Sequence, residues 1–482
     1  MRKALLAAIV LAFVSCSKDE PGTDVPTTSS VKDFTWKAMN SWYNWQESVP
    51  NLADSKDDNV NSYNNYLNSF STPQALFESL KHPDDDFSWF IEDYVAQQQQ
   101  FQGISKSFGF RPSLVRVGTT DFVVMYIQYV SENSPADKAG FKRGDIINGI
   151  NDKVMTTANY KSILDNDYSQ ETAKFNFVEN DGTTAKENKS ITKEVVSDNP
   201  VHLVKTFDNI NGKKVGYLVY NGFRSSYNDE LNTAFADLKS AGIQELILDL
   251  RINGGGSVLT SAYLASMIHG EEPSEKEVFA ELRYNSKHTD RNARAPFFDR
   301  LNVYDSQGNK TGEQNINRLT GITKLYVLAS GSTASASEMI INGLRPFIDV
   351  VIVGTKTTGK NEGSITLYDS PSSDFTDVNS ANSAHKNAMQ PIVFQIYNNL
   401  GQSDYNEGFE PNIKIEEFRS WNNILPFGDE NEVVLKAALD NIRGISTRSV
   451  NNLTDAVELS GIKKNRFDTE MYIDHDFISL TK

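Results

Sequence analysis

The run Ser330-Gly331-Ser332-Thr333-Ala334-Ser335-Ala336-Ser337-Glu338 constrains this 482-residue chain more than any other. The apolar stretch before it, Leu325 to Ala329, is short enough for a buried strand. Behind it, Ala336, Ile340, Gly343 and Leu344 fall on one face of a helix. Strand, tight turn and helix is the arrangement that holds a nucleophile out at the end of a sheet. A serine in the first helical turn also lies at the positive end of the helix dipole. A Ser/Ala-rich helix cap has the same composition, so the rest of the chain has to decide between the two readings.

The length calls for more than one domain. A net charge of −16 argues against a nucleic-acid partner. The one cysteine, Cys16, leaves no intrachain disulfide to form, and the six histidines are scattered without zinc spacing. The expectation is therefore no metal and no cofactor.

Arg2 and Lys3 precede an apolar segment, Ala4 to Val14, that is too short to span a bilayer. It ends at Phe13-Val14-Ser15-Cys16, which resembles a bacterial lipobox. That resemblance implies a lipoprotein signal peptide over residues 1–16, processed so that Cys16 is lipidated and becomes the mature first residue. Ser17-Lys18-Asp19-Glu20 resembles an export signal to the outer face of the outer membrane, so the expected location is the cell envelope, periplasmic or surface-exposed. Residues 17–32 read as a flexible tether.

Residues 33–102 read as a small helical domain. Trp36, Met39 and Tyr43, widened by Trp42 and Trp45, form one stripe; Leu76, Phe77 and Leu80 form a second, and Trp89, Phe90 and Tyr94 a third. Such stripes are core, and no chemistry is assigned to them. In residues 103–198, Ser134-Pro135-Ala136-Asp137-Lys138-Ala139-Gly140 reads as a short helix, and Gly144-Asp145 as a turn into a strand at Ile146-Ile147. This run resembles the middle of a PDZ domain, with Phe108-Gly109-Phe110 similar to its carboxylate-binding loop. The resemblance implies that Phe108, Gly109 and Phe110 receive the C-terminus of a peptide added to a sheet edge.

In residues 199–444 the pattern becomes strand, helix, strand, which argues α/β layers with a partly parallel sheet. The strand Leu246 to Leu250 leads into Arg251-Ile252-Asn253-Gly254-Gly255-Gly256, whose amides can form an anion-binding corner. No Lys-Ser/Thr follows, which disfavours a nucleotide loop. A third apolar strand, Val350 to Val353, leads to Gly354-Thr355-Lys356-Thr357-Thr358-Gly359-Lys360. Nucleophile, amide pocket and base can thus meet at one end of a sheet.

These residues resemble the C-terminal processing peptidases, a family of Ser/Lys serine peptidases. Leu248 to Gly256 is similar to the family's glycine motif and Thr333 to Glu338 to its nucleophile motif. Lys360, 25 residues on (335 to 360), is similar to the family lysine. The resemblance implies a multidomain α/β protein: a helical N-terminal domain, a PDZ-like domain and a layered, ClpP/crotonase-like α/β peptidase domain. It implies Ser335 as nucleophile, Lys360 as base, and amides of Gly254, Gly255 and Ala336 as the oxyanion hole. It also implies protein or peptide substrates bound by their tails. A lysine serves as base only if desolvation lowers its pKa. The family often has a glutamine four residues after the lysine, where this chain has Ser364, so Ser364, Glu362 or Thr357 is left to hold Lys360. Glu338 is expected to support the nucleophile helix.

The readings that compete are a non-catalytic relative binding peptides or apolar ligands, a surface adhesion lipoprotein, and a peptidase with His202 as base. Residues 269–319 are expected as an insertion or cap and 374–388 as a mobile loop. Residues 445–482, polar, are expected to contribute little.

Overall fold

The computed structural model describes residues 29–270, 277–445, 454–461, 469–473 and 477. At its centre is a sheet in the order Val201–Ile210, Lys213–Tyr220, Glu245–Asp249, Lys324–Ala329, Asp349–Gly354, Ile413–Lys414. The first pair is antiparallel and every later pair is parallel. Alternate residues face opposite ways. Leu246, Leu248, Leu325 and Val327 join the core that includes helices Asn228–Ala241, Val258–Ile268 and Ala336–Leu344. Ile247, Tyr326 and Leu328 pack instead against helix Val433–Ile442. Both faces are covered, which is why these strands read as unbroken apolar runs.

A second sheet has the order Gly256–Ser257, Met471–Tyr472, Glu362–Ser364, Ile392–Tyr397, Val278–Tyr284, Ala293–Pro296. Two expectations change here. Within residues 269–319, Val278–Tyr284 and Ala293–Pro296 are strands of this sheet rather than parts of a detachable cap, because Val278–Tyr284 finds a partner in Ile392–Tyr397. The polar tail supplies one of the inner strands, Met471–Tyr472, with Met471 and Phe477 fully buried.

The N-terminal unit packs Trp36, Met39, Trp42, Tyr43, Leu76, Phe77 and Leu80 into the main core, as the stripes predict. Its third stripe divides. Trp89–Ile91 is a strand paired with Ala388–Gln390, and a helix, Tyr94–Phe101, starts only after Asp93 caps the amides of Val95 and Ala96. The expected mobile loop, 374–388, is tied down at both ends by this unit: Trp42 Nε1 donates to the Asp374 carbonyl at 2.8 Å, and Ala388 pairs with Ile91.

The PDZ-like unit is a sheet in the order Ala456–Leu459, Phe110–Val117, Val123–Val130, Ile146–Ile150, Thr172–Val178, Lys189–Thr192. Its Arg143 and the core's Arg251 share Glu417 and both reach the buried Glu432. Arg111, at the start of the strand Phe110–Val117, donates to the Ile252 carbonyl beside the glycine corner at 2.9 Å.

Candidate active site

The glycine corner and the serine turn follow adjacent parallel strands, in register Leu248 to Val327 and Asp249 to Leu328. They are stitched together. Thr333 Oγ1 donates to the Leu250 carbonyl at 2.8 Å, and Ser337 Oγ donates to that of Asn253 at 3.0 Å. Ser335 begins the helix at φ 62°, ψ −117°, a conformation that costs a non-glycine residue on the order of 1–3 kcal/mol unless its surroundings enforce it. Glu338 Oε2 enforces it by accepting the Ser335 amide at 2.9 Å, while the Met339 amide donates to the Ser335 carbonyl at 2.8 Å. The Ser335 hydroxyl is buried and has no hydrogen-bond partner among the described residues.

The next parallel strand, Asp349–Gly354, delivers the lysine loop to the same end of the sheet. The Thr358 amide donates to the Thr333 carbonyl at 3.0 Å. Gly359, at φ 98°, is needed there, since a Cβ would lie 2.4 Å from the Asn406 carbonyl oxygen. The loop closes on Glu338. Its Oε2 accepts the Lys360 amide at 2.8 Å, and its Oε1 accepts the Gly359 amide at 2.7 Å and the Thr357 hydroxyl at 2.5 Å. Burial pushes the Glu338 carboxyl up, against the pull of these donors.

The Lys360 side chain is 1 % exposed. Its ammonium donates to the Thr469 carbonyl at 2.9 Å, lies 3.9 Å from Glu470 Oε2, and sits 4.9 Å from the centre of the Phe87 ring. Burial pushes Glu470 up to about 7, with Lys360 opposing. Burial likewise raises Glu362 to about 7; Lys360 opposes, while Asp85 and Asp86 add to the rise. Beside the glycine corner a cavity of about 170 Å³ opens toward the PDZ-like unit, lined by Arg111, Asp198, Asn221, Arg224, Gly254 and Gly255.

This geometry meets an independent match of the sequence. Residues 214–415 match the model of peptidase family S41, residues 30–89 that of the peptidase S41 N-terminal domain, and residues 126–172 that of a PDZ domain. The chain belongs to peptidase family S41. A crystal structure assigned as an S41 protease from Bacteroides fragilis NCTC 9343 is 27% identical, with a TM-score of 0.64, covering 85% of this chain and 97% of its own. The chloroplastic C-terminal processing peptidase of Tetradesmus obliquus is 24% identical over 60% of this chain and 59% of its own. The carboxyl-terminal-processing protease of Picosynechococcus is 28% identical over 35% of this chain and 34% of its own. The chain thus aligns with between a third and three fifths of the length of these two curated relatives.

In this S41 chain, Ser335, Glu338, Thr357 and Lys360 come together around one carboxylate, so Thr357 holds Glu338 rather than Lys360. Ser364 does not touch the lysine. Its hydroxyl donates toward Glu470 Oε1 and the Met471 carbonyl, and Gln390 donates to it at 2.8 Å. Of the expected oxyanion donors, the Gly255 amide is taken by Asn253 Oδ1 at 2.9 Å. The amide that holds a carbonyl is that of Gly256, which donates to Glu470 at 2.7 Å. A Cβ placed on Gly255 would lie 2.4 Å from that carbonyl oxygen, 2.7 Å from Ser335 Cβ and 3.1 Å from the Ala336 nitrogen. The Glu470 carbonyl, Ser335 and the Ala336 amide therefore surround one point that only a glycine leaves open.

Phe108 and Phe110 both turn their rings onto Phe175, with centroids 5.3 Å away, so a tail would meet the backbone of that loop and not its rings. His202 packs between Tyr129 and Phe427. Sequence reasoning placed Gly256 in the glycine corner without singling out its amide, and missed Phe87 and Glu470, which reach the site only through tertiary packing.

Proposed function

We propose that this chain is a serine endopeptidase of the cell envelope that cuts polypeptides with Ser335 and Lys360. The observation that carries this reading is the convergence of the Ser335 and Lys360 amides on Glu338, which fixes the two chain segments relative to each other beside a glycine corner. In the reaction, Ser335 Oγ bonds to the substrate carbonyl carbon as its proton passes to a neutral Lys360 amine. The carbonyl oxygen becomes an oxyanion facing backbone amides of the Gly254–Gly256 corner and Ala336. The C–N bond then breaks, and the lysine ammonium returns its proton to the leaving amine. Water, activated by the same lysine, hydrolyses the acyl-enzyme and frees Ser335.

The PDZ-like unit supplies substrate tails, and Arg111 links its strand Phe110–Val117 to the corner where they would be cut. Lipidation of Cys16, which lies outside the described residues, places the enzyme on the outer membrane. No helix among the described residues is long and apolar enough to cross a membrane. The test is hydrolysis of an unfolded protein such as casein, with Ser335→Ala as control and melting to check the fold. Substantial cleavage by the variant would assign the nucleophile elsewhere.

A further inference from the structure

The tail of this chain occupies two grooves, each shaped for a polypeptide strand. The first is the edge of the PDZ-like sheet. Ala456–Leu459 pairs antiparallel with Phe110–Val117, in register Ala456 to Val117 through Leu459 to Leu114. Its direction carries the chain toward the Phe108-Gly109-Phe110 loop, as a C-terminus aimed at that loop would run. The other wall is the helix Tyr160–Ile163 and the turn after it. Leu459 packs on the core that includes Tyr160, Ile163 and Leu164, and the Tyr160 hydroxyl donates to the Ser460 carbonyl at 3.0 Å.

The second groove is the catalytic cleft. Met471–Tyr472 runs between Gly256–Ser257 and Glu362–Ser364 and is parallel to both. The Glu470 carbonyl takes the Gly256 amide, and the Thr469 carbonyl takes the Lys360 ammonium. Met471 is fully buried, and Tyr472 stacks on Phe101 at 4.1 Å. Lys360 is thereby engaged by a backbone carbonyl while Ser335 Oγ has no partner among the described residues. No hydrogen bond joins Ser335 Oγ to Lys360 in this arrangement, so the direct serine-to-lysine proton transfer that cleavage requires is not set up while the tail is docked.

We propose that residues 454–461 and 469–473 are a tethered cis-ligand: they hold the PDZ groove and the catalytic cleft as an incoming polypeptide would, and inhibit the enzyme until a substrate tail displaces them. The inhibition rests on the peptidase reading; the occupancy of the two grooves does not. Substrates then compete with a segment already in place, so apparent affinity falls by the fraction of chains that are open. An unfolded protein that can offer a strand to both grooves displaces the tail more readily than a short peptide that reaches one.

The experiment compares the parent chain with a Leu459→Asp/Met471→Asp variant, which puts a charge into each apolar contact. The readouts are kcat/KM on casein and the binding of a fluorescein-labelled peptide of residues 454–482, followed by anisotropy in a Ser335→Ala background. If about one parent chain in ten is open, kcat/KM rises about tenfold, through KM, and the variant binds the added peptide about ten times more tightly. Equal kcat/KM and equal peptide binding in both chains would overturn the proposal.

A second variant needs no weakening of the fold. Arg116→Cys/Val457→Cys, in a Cys16→Ala background, joins two residues that are register partners. Oxidation should abolish peptide binding and cleavage, and reduction should restore both; a disulfide that changes neither overturns the proposal. A chain that binds added tail only when its own is loosened, yet cleaves nothing, sinks the peptidase reading and leaves the cis-ligand standing.

Discussion

The backbone amides of Ser335 and Lys360 donate to the same oxygen of Glu338, at 2.9 and 2.8 Å. Two segments 25 residues apart in sequence are thus fixed by one side chain, which also accepts from Thr357 and Gly359. Removing it leaves four buried donors without an acceptor. Glu338→Ala should lose on the order of 3–5 kcal/mol of stability, because unsatisfied buried donors cost about 1–3 kcal/mol each and the loop can relax around some of them. Glu338→Gln keeps the shape and one acceptor oxygen, and should melt closer to the parent while losing most activity as Ser335 leaves its strained conformation. Thermal melting and kcat/KM of the two variants check this; a Glu338→Ala chain as stable as the parent would show that the convergence does not carry the site.

Lys360→Arg should be as damaging as Lys360→Ala. Arginine keeps the charge and much of the length, but its pKa above ~12 prevents it from accepting the serine proton. Loss of a general base typically costs about 100- to 10,000-fold in rate. A lysine that served only to bond the Thr469 carbonyl would tolerate arginine. Near-normal kcat/KM in a folded Lys360→Arg chain therefore removes the dyad and sends the search to another base.

The serine turn and the lysine loop were legible as local structure because each is a local signal: an apolar strand, a small-residue turn and a helix face lie within about fifteen residues, and the order of the corners follows from parallel pairing. What sequence could not supply is the consequence of folding. Asn253 Oδ1 accepts the Gly255 amide, and the Gly256 amide donates to the Glu470 carbonyl. Trp89–Ile91 has the spacing of a helix and becomes a strand because Ala388–Gln390 offers a ladder. The tail strands Ala456–Leu459 and Met471–Tyr472 are too short and too polar in context to show alternation. They become ordered elements only where the PDZ edge and the cleft already present unpaired backbone.

Cys16→Ala should release the protein from membranes, since acyl chains at that residue are the anchor assigned to it. Membrane fractionation of cells producing each form tests this. Protease added to intact cells then separates the outer face from the periplasm: digestion places the chain outside, and protection in cells but not in lysates places it inside.

Glu470 makes the hold of the tail depend on pH. Docked, its carboxyl is pushed up to about 7 by burial, against the Lys360 ammonium 3.9 Å away; Ser364 and Gln390 also face it. Released into water, it returns to the ordinary value of 4.5. The docked form therefore binds the extra proton. Below about pH 4.5 both forms are protonated and docking is at its firmest. As pH rises to about 7 the free tail ionises first, and docking weakens by on the order of 3 kcal/mol before levelling off. Glu362, also raised to about 7, titrates in the same window, so a pH effect alone does not identify the group. Glu470→Gln does, because it removes one titration and leaves the other. The ratio of kcat/KM between Leu459→Asp/Met471→Asp and the parent should be larger at pH 5.5 than at pH 8. In the Glu470→Gln background, that ratio should lose most of its pH dependence. A ratio equal at both pH values in the parent background would show that the Glu470 proton is not linked to the tail.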